Sequence, residues 1–278
     1  MSLTDKSLGF QTSFLTYFPL PRTNVGTTFS REVNGTRCDY FDALGIPYTA
    51  VDRRWIEIVT TLARRQAPTA RIDLGAVSQT LRRYGMDSQS NYILPARKAL
   101  EKLARLHIST TRVGKGGGLA AHQGLDFSLS RKHQILWARG RTDLVEPELF
   151  DQENYMELSQ DFMGFVQNAA PHNQDHYMDI RSPLTLDMYH WLVTKLYGLH
   201  DEEILKWTKL YAQFGQNGTK LNESQMKSLR RGLKTSLLEI LTKYYPRARV
   251  KATDEGIVLM KSPPLIEPDN KKAGFALI

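Results

Sequence analysis

Residues 222–245 read NESQMKSLRRGLKTSLLEILTKYY, and this stretch decides the fold. Asn222, followed three residues later by Gln225, predicts a helix that begins with a capping box and ends before Pro246. Apolar residues recur on one face of this helix at the spacing of a buried stripe. A second stripe, about 100 degrees away, is cationic, with members Lys227, Arg230, Arg231 and Lys234. Because acids are nearly absent from the helix, these cations repel one another unless an external anion is present.

The elements predicted around the long helix follow a known order. Residues 182–183, a serine and a proline, predict the start of a helix, and residues 204–207 predict a short strand. Residues 208–214 predict a second helix, and residues 247–261 predict a hairpin around the turn 254–256. This order of elements is that of a winged-helix domain, in which the long helix enters the major groove of DNA.

Residues 51–141 predict the same order of elements without visible sequence identity. Asp52 predicts the N-cap of a first helix, residues 70–74 a short strand, and Tyr92 the beginning of the third helix, ahead of a two-stranded ribbon. The sequence therefore predicts an α+β fold of two tandem winged-helix domains joined by an acidic linker. We expect an N-terminal extended segment that packs on the first domain (1–50), the first winged-helix domain (51–141), an acidic connecting segment (142–181), the second winged-helix domain (182–264) and a C-terminal tail (265–278).

Charge is segregated along the chain, although the whole chain carries a net charge of only +8. Residues 53–141 hold 17 basic and 5 acidic residues, and residues 206–251 hold 11 and 2. Between them, residues 142–205 hold 2 basic and 13 acidic residues. Two concentrated cationic blocks indicate two surfaces for phosphate, with the acidic stretch as a spacer or a dimer surface. The alternative is that both blocks are ordinary solvated helical faces.

Particular residue types fit DNA contact. In the long helix, the candidates for the major groove are Ser224, Lys227, Ser228, Arg230, Arg231 and Lys234. Arg230 and Arg231 are the candidates for base readout, because arginine bidentate to guanine is the commonest specific contact. The expected phosphate contacts of the second domain are Lys220, Arg247, Arg249 and Lys251. The first domain offers Lys98, Lys102 and Arg105 on one helical face, and Lys115 in a glycine-rich connector.

Motifs along the chain resemble those of bacterial plasmid-encoded RepA-type replication initiators, a theta-replication family. In the first half the matching stretches are Phe18-Pro19-Leu20-Pro21-Arg22, Phe29 with Arg31, Asn34-Gly35 and Gly45-Ile46-Pro47-Tyr48. In the second half they are the helix 182–192, Phe214-Gly215, Leu229-Arg230-Arg231, the segment 245–250, Asp254-Glu255-Gly256 and Ser262-Pro263-Pro264. The chain departs from the family pattern at residues 49–54, so the match of the first domain is looser.

The resemblance implies a protein that binds double-stranded DNA at plasmid origin repeats and recruits a host initiator and the replicative helicase. It also implies that the C-terminal domain reads each repeat and that a homodimer represses its own gene. A winged-helix transcriptional repressor, which would bind one inverted repeat as a dimer, is the alternative. Contacts with host proteins are expected through the acidic middle or the tail.

Other classes of protein fit the sequence poorly. A single cysteine, Cys38, excludes an internal disulfide and a zinc site that needs two or more cysteines. No apolar run reaches about 18 residues and the first residues lack the pattern of a signal peptide, so we expect a cytoplasmic protein without a membrane partner. The glycines of residues 114–118 lack the spacing of a nucleotide-binding loop. We expect no catalytic residues, no cofactor and no metal.

A rolling-circle replication endonuclease is the remote enzyme alternative. Such an enzyme needs two metal-binding histidines that flank one hydrophobic residue, together with a nucleophilic tyrosine. His172 and His176 have the wrong spacing and a polar interior, and we interpret residues 172–176 as a solvated loop.

Overall fold

The computed structural model describes residues 7–86, 90–116, 119–136, 154–216 and 221–266. These residues form the mixed helix and sheet structure that the sequence predicts. Their buried apolar side chains form two cores, one drawn from residues 14–166 and the other from residues 177–259. Within the described ranges, none of the helices combines the length and the apolar character needed to cross a membrane.

The elements around the first core come mostly from the N-terminal half. They are β1 (Leu8–Gln11), α1 (Ser13–Tyr17), β2 (Thr28–Val33), β3 (Thr36–Phe41), α2 (Ala50–Gln66), β4 (Arg71–Asp73), α3 (Val77–Arg83), α4 (Ser90–Arg105), β5 (His107–Gly116), β6 (Leu119–Ser128), β7 (Ser130–Gln134), β8 (Tyr155–Leu158) and α5 (Gln160–Gln167). One sheet has the strand order β2-β3-β5-β6, and another has the order β4-β8-β7.

The elements that follow surround the second core. They are β9 (Ala170–Asn173), α6 (Gln174–Asp179), α7 (Pro183–Tyr197), β10 (Glu203–Lys206), α8 (Trp207–Phe214), α9 (Glu223–Glu239), a π-helical turn (Ile240–Tyr244), β11 (Arg249–Ala252) and β12 (Gly256–Met260). The strands β10, β12 and β11 form an antiparallel sheet in that order. The order of elements predicted for residues 182–261 is therefore present, except that the α-helical geometry of the long helix ends at Glu239.

The first half repeats the order of elements but not the strand pairing. In the second half, the short strand β10 pairs with its own hairpin. In the first half, β4 pairs with β8, while the hairpin β5–β6 joins β2 and β3. In the sheet that contains β5 and β6, the two strands without a counterpart in the second half are β2 and β3, which come from the N-terminal segment. Pairing between distant segments, β4 with β8 and β3 with β5, therefore takes the place of pairing between β4 and its own hairpin.

Two predicted helix starts move by a few residues. Thr49, not Asp52, is the N-cap of α2, and Asp52 occupies the third helical position of the capping box. Asp52 accepts hydrogen bonds from the backbone N–H groups of Tyr48 and Thr49 through Oδ2, at 2.8 and 2.7 Å. Helix α4 begins at Ser90 rather than near Tyr92.

The described part of the acidic connecting segment is folded. Residues 154–181 contain β8, α5, β9 and α6, and Met156, Phe162 and Val166 are buried in the first core. The N-terminal extended segment contacts more than the first domain. Its strand β1 packs on α2 and also pairs with β9 of the acidic connecting segment. The apolar residues among the acids explain this packing, because their burial stabilises contact with the core whatever the net charge of the segment.

Candidate nucleic-acid interface

Helix α9 begins as the sequence predicts. The Asn222 side chain accepts a hydrogen bond from the Gln225 N–H (2.8 Å), and the Gln225 side chain accepts one from the Asn222 N–H (3.0 Å). The buried stripe, which includes Leu229, Leu233 and Leu237, packs in the second core. Burial of each such leucine contributes about 1.5–3 kcal/mol, and it turns the opposite face of the helix towards solvent.

Most of the predicted groove residues lie on that exposed face. The exposed members are Ser224, Lys227, Ser228, Arg231 and Lys234. Lys227 does have an acidic partner within the helix, because its Nζ lies 2.7 Å from Glu223 Oε1. Both side chains are about three-quarters exposed, at 74% and 78%, so this ion pair is weak and can give way to a phosphate.

Arg230 differs from its neighbours, because its guanidinium contacts the turn of the β11–β12 hairpin. Its Nη2 donates to the carbonyl oxygens of Thr253 (3.2 Å) and Asp254 (3.1 Å), and lies 3.1 Å from Asp254 Oδ1. Its Cζ lies 4.9 Å from the centroid of the Trp207 ring. In this structure Arg231, rather than Arg230, is the arginine of α9 that is free to reach a ligand.

The hairpin whose turn contacts Arg230 carries further exposed cations. Arg249 and Lys251 are both exposed on β11 and lie on the same face of that strand. Arg247 is exposed as well and donates to the carbonyl oxygen of Pro264 (3.3 Å). Lys220, the remaining predicted phosphate contact, lies outside the described residues.

The candidates of the first domain are on α4 and β5. Lys98 and Arg105 are exposed, whereas Lys102 is half-buried with its Nζ 5.3 Å from the centroid of the Tyr48 ring. Lys115 belongs to β5, but its side chain lies outside the described part of the molecule. Among the members of this predicted set whose side chains are described, Lys98 and Arg105 are exposed.

Two cations at the start of α8 were not predicted. Lys206 and Lys209, which precede and follow Trp207 in the sequence, are both exposed. The Trp207 ring lies under the Arg230 guanidinium and 5.8 Å from the Nζ of Lys234. In a helix-turn-helix unit the first helix crosses the DNA backbone. A pair of lysines three residues apart at the beginning of that helix is the sequence signal that could have identified them.

The C-terminal end of α8 is held by arginines from the N-terminal segment. Arg31 is buried and donates to the carbonyl oxygens of Gln213 and Gly215, and Arg22 donates to that of Phe214. Burial lowers the pKa of each guanidinium to about 10, so both remain charged at neutral pH. A positive charge at a helix C-terminus is favourable, and these contacts fix the helix that precedes α9.

The interpretation of residues 172–176 as a solvated loop is wrong. His172 lies in β9 and its side chain has no exposed surface. Its Nε2 lies 3.4 Å from Oε1 of Glu57, which is equally buried. Gln174 donates to the same carboxylate oxygen at 3.0 Å. These polar residues are buried because β1 and α2 cover them. Across the described ranges, the structure contains no group of three or more His, Cys, Asp or Glu residues that could hold a metal ion.

Comparisons with known proteins bear on the fold. No protein-family model matches the chain, and no curated protein matches it in sequence. The crystal structure of selenomethionine derivatives of domain 2 and domain 3 of RctB matches with a TM-score of 0.57 and 10% identity, over 92% of this chain and 97% of that chain. A crystal structure of RctB domains 2-3 matches with a TM-score of 0.49 and 12% identity, over 90% of this chain and 96% of that chain. The first match shows that this chain shares its overall fold with the two RctB domains.

Proposed function

We propose that this protein is a sequence-specific double-stranded DNA-binding protein that initiates plasmid replication in the bacterial cytoplasm by binding repeated sequences at an origin. Three lines of support agree. RctB, whose domains share the fold, is a replication initiator. The motifs quoted above resemble those of RepA-type initiators. The structure exposes a cationic helix face of the kind that binds phosphate.

The observation that carries the proposal is the exposed face of α9. In our proposal residues 182–264 are a winged-helix domain, because their helices and strands follow its order of elements and include its three-stranded sheet. Helix α9 then enters the major groove, where Arg231 reads bases while Lys227 and Lys234 contact phosphates. Lys251 and Arg249 on the hairpin hold the adjacent backbone.

The first half is proposed as a second, expanded winged-helix domain that contacts the DNA backbone through Lys98 and Arg105. Its element order supports this assignment, whereas the strand pairing of β4 makes it less regular than the second domain. The resemblance to RepA-type initiators further suggests a homodimer for autorepression and contacts with a host initiator and the replicative helicase. We also propose that the protein has no catalytic role.

Selection of bound duplexes from a random double-stranded library tests the proposal. We expect one motif to be enriched at near-physiological salt. Arg231→Ala should cost about 1–3 kcal/mol on that motif and relax base choice at one position, because it removes a bidentate contact. Lys251→Ala, a matched loss of one positive charge, should weaken binding on all sequences alike and reduce the salt slope by about 1. Sequence-blind binding of the unaltered protein would refute the proposal.

Footprinting on two arrangements of the selected motif separates an initiator from a repressor. An initiator is expected to occupy direct repeats, whereas a repressor that acts only as a dimer is expected to require an inverted repeat. Protection of inverted repeats alone would contradict the replication role while leaving DNA binding intact. Nicking of supercoiled DNA in the presence of magnesium or manganese would contradict the absence of a catalytic role.

A further inference from the structure

Three elements of the second half meet at the indole of Trp207, the first residue of α8. The backbone N–H of Trp207 donates to the carbonyl oxygen of Glu255 (3.1 Å), and its indole Nε1 donates to that of Thr253 (3.1 Å). Trp207 is 5% exposed, and its indole stacks with the Tyr211 ring at a centroid distance of 6.2 Å. The hairpin turn is therefore tied to α8 through both the backbone and the ring of one residue.

Arg230 makes the corresponding contact between α9 and the hairpin turn. Its guanidinium lies over the Trp207 ring and donates from Nη2 to the carbonyl oxygens of Thr253 and Asp254. A planar guanidinium can stack on a ring and donate in its own plane at the same time, which an ammonium cannot do. Thr253 thus accepts hydrogen bonds from both Trp207 and Arg230, so a single carbonyl group joins both helices to the hairpin.

The ion pair with Asp254 is the lesser part of this arrangement. The Asp254 side chain is fully exposed, and an exposed ion pair contributes little in salt solution. The Arg230 side chain, by contrast, is 31% exposed, and its carbonyl contacts do not depend on the identity of residue 254. The guanidinium is therefore held mainly by the backbone of the turn and by the indole.

We propose that Arg230 is a positioning residue, which fixes the β11–β12 hairpin against α9 over the indole of Trp207, and that base readout on this helix is left to Arg231. The inference rests on the proposed function, since the angle between hairpin and helix matters for binding only if both hold one duplex. It has one specific consequence: the position of Lys251 relative to the groove helix depends on Arg230.

Amide hydrogen exchange of the full chain without DNA tests the positioning role. The reporters are the N–H of Thr253, which donates to the Gly256 carbonyl (2.8 Å), and the N–H of Trp207. Arg230→Ala should speed their exchange by at least about tenfold, whereas Arg231→Ala, the matched loss of a neighbouring arginine, should leave both unchanged. Arg230→Lys should give exchange rates between those of Arg230→Ala and of the unaltered protein. It serves as the test variant if Arg230→Ala fails to fold. Unchanged exchange in the Arg230 variants would overturn the proposal.

A double-mutant cycle on the selected duplex tests the consequence for DNA binding. In the Arg230→Ala background, Lys251→Ala should weaken binding by a factor at least about threefold smaller than in the unaltered protein, because the hairpin is already displaced. In the Arg231→Ala background, Lys251→Ala should have its full effect. Arg230→Ala should also leave base preference unchanged, whereas Arg231→Ala should relax it.

The two experiments distinguish failure of the inference from failure of the proposed function. The positioning role is wrong if Arg230→Ala relaxes base preference and if the losses of DNA affinity from Arg230→Ala and Lys251→Ala are additive. Those results would mean that Arg230 leaves the indole on DNA binding and reads a base. If the unaltered protein selects no duplex, the proposed function fails. Hydrogen exchange still decides whether Arg230 holds the hairpin in that case.

Discussion

Replacement of Asp187 by alanine is expected to lower the free energy of unfolding by about 3–5 kcal/mol, because it removes one partner of a buried ion pair. Arg53 on α2 donates to Asp187 on α7 twice, from Nε to Oδ1 at 2.7 Å and from Nη2 to Oδ2 at 2.8 Å. The two side chains are only 2% and 11% exposed. Burial opposes the charge of Arg53, whereas Asp187 favours it, and the net effect raises the pKa of Arg53 above its ordinary value.

The remaining partners of Arg53 cannot replace the carboxylate. They are backbone carbonyl oxygens, among them those of Leu20 (2.8 Å) and Tyr48 (2.9 Å), and they satisfy N–H groups without neutralising the charge. The Asp187→Ala protein would therefore keep a buried guanidinium with no carboxylate hydrogen-bonded to it. Because the pair joins α2 of the first core to α7 of the second, its loss should weaken the contact between the two halves as well as the total stability.

Urea unfolding at pH 7, followed by tryptophan fluorescence, measures this loss. The matched control is Asp39→Ala, which breaks the pair of Asp39 with Arg37. Asp39 is 17% exposed, but its partner Arg37 is 61% exposed and stays solvated when the carboxylate is removed. That substitution should therefore cost less than about 1 kcal/mol of unfolding free energy. Equal, small losses from Asp187→Ala and Asp39→Ala would refute the reasoning that burial makes the first pair indispensable.

Two further predictions concern stability. Burial lowers the pKa of His190 to about 3, so this side chain is neutral when folded and takes up a proton on unfolding below its ordinary pKa of 6.5. The free energy of unfolding should fall by up to about 1.4 kcal/mol per pH unit from pH 6.5 towards pH 4 through this group, and urea titrations of His190→Gln should lack that part of the slope. A slope identical to that of the unaltered protein would contradict the assignment. Gly256→Ala would place Cβ 2.0 Å from the Leu205 carbonyl oxygen. It should cost roughly 1–3 kcal/mol through overpacking, whereas Gly164→Ala, on an exposed helical position, should stabilise by about 0.5–1 kcal/mol. Equal shifts of the urea midpoint for the two glycine variants would show that the predicted clash is absent.

Local features of the second half followed from the sequence. The capping box at Asn222 and Gln225, the apolar stripe of α9 and the turn 254–256 were all predicted at their observed places. Each depends on residues within one or two turns of one another, so periodicity and capping rules describe them fully. For the same reason the sequence predicted which face of α9 carries Lys227 and Arg231.

The partners of the long polar side chains were decided by the tertiary structure. Arg230 has the right spacing for the cationic face of α9, yet it contacts Thr253 in a hairpin 23 residues away. Arg31 and His172 likewise find their partners on elements far along the chain. A charged side chain that loses water on burial takes whichever acceptor the packing brings to it, and the packing depends on both cores. Sequence periodicity determines the face on which a residue lies, whereas the fold determines whether that residue remains available for a ligand.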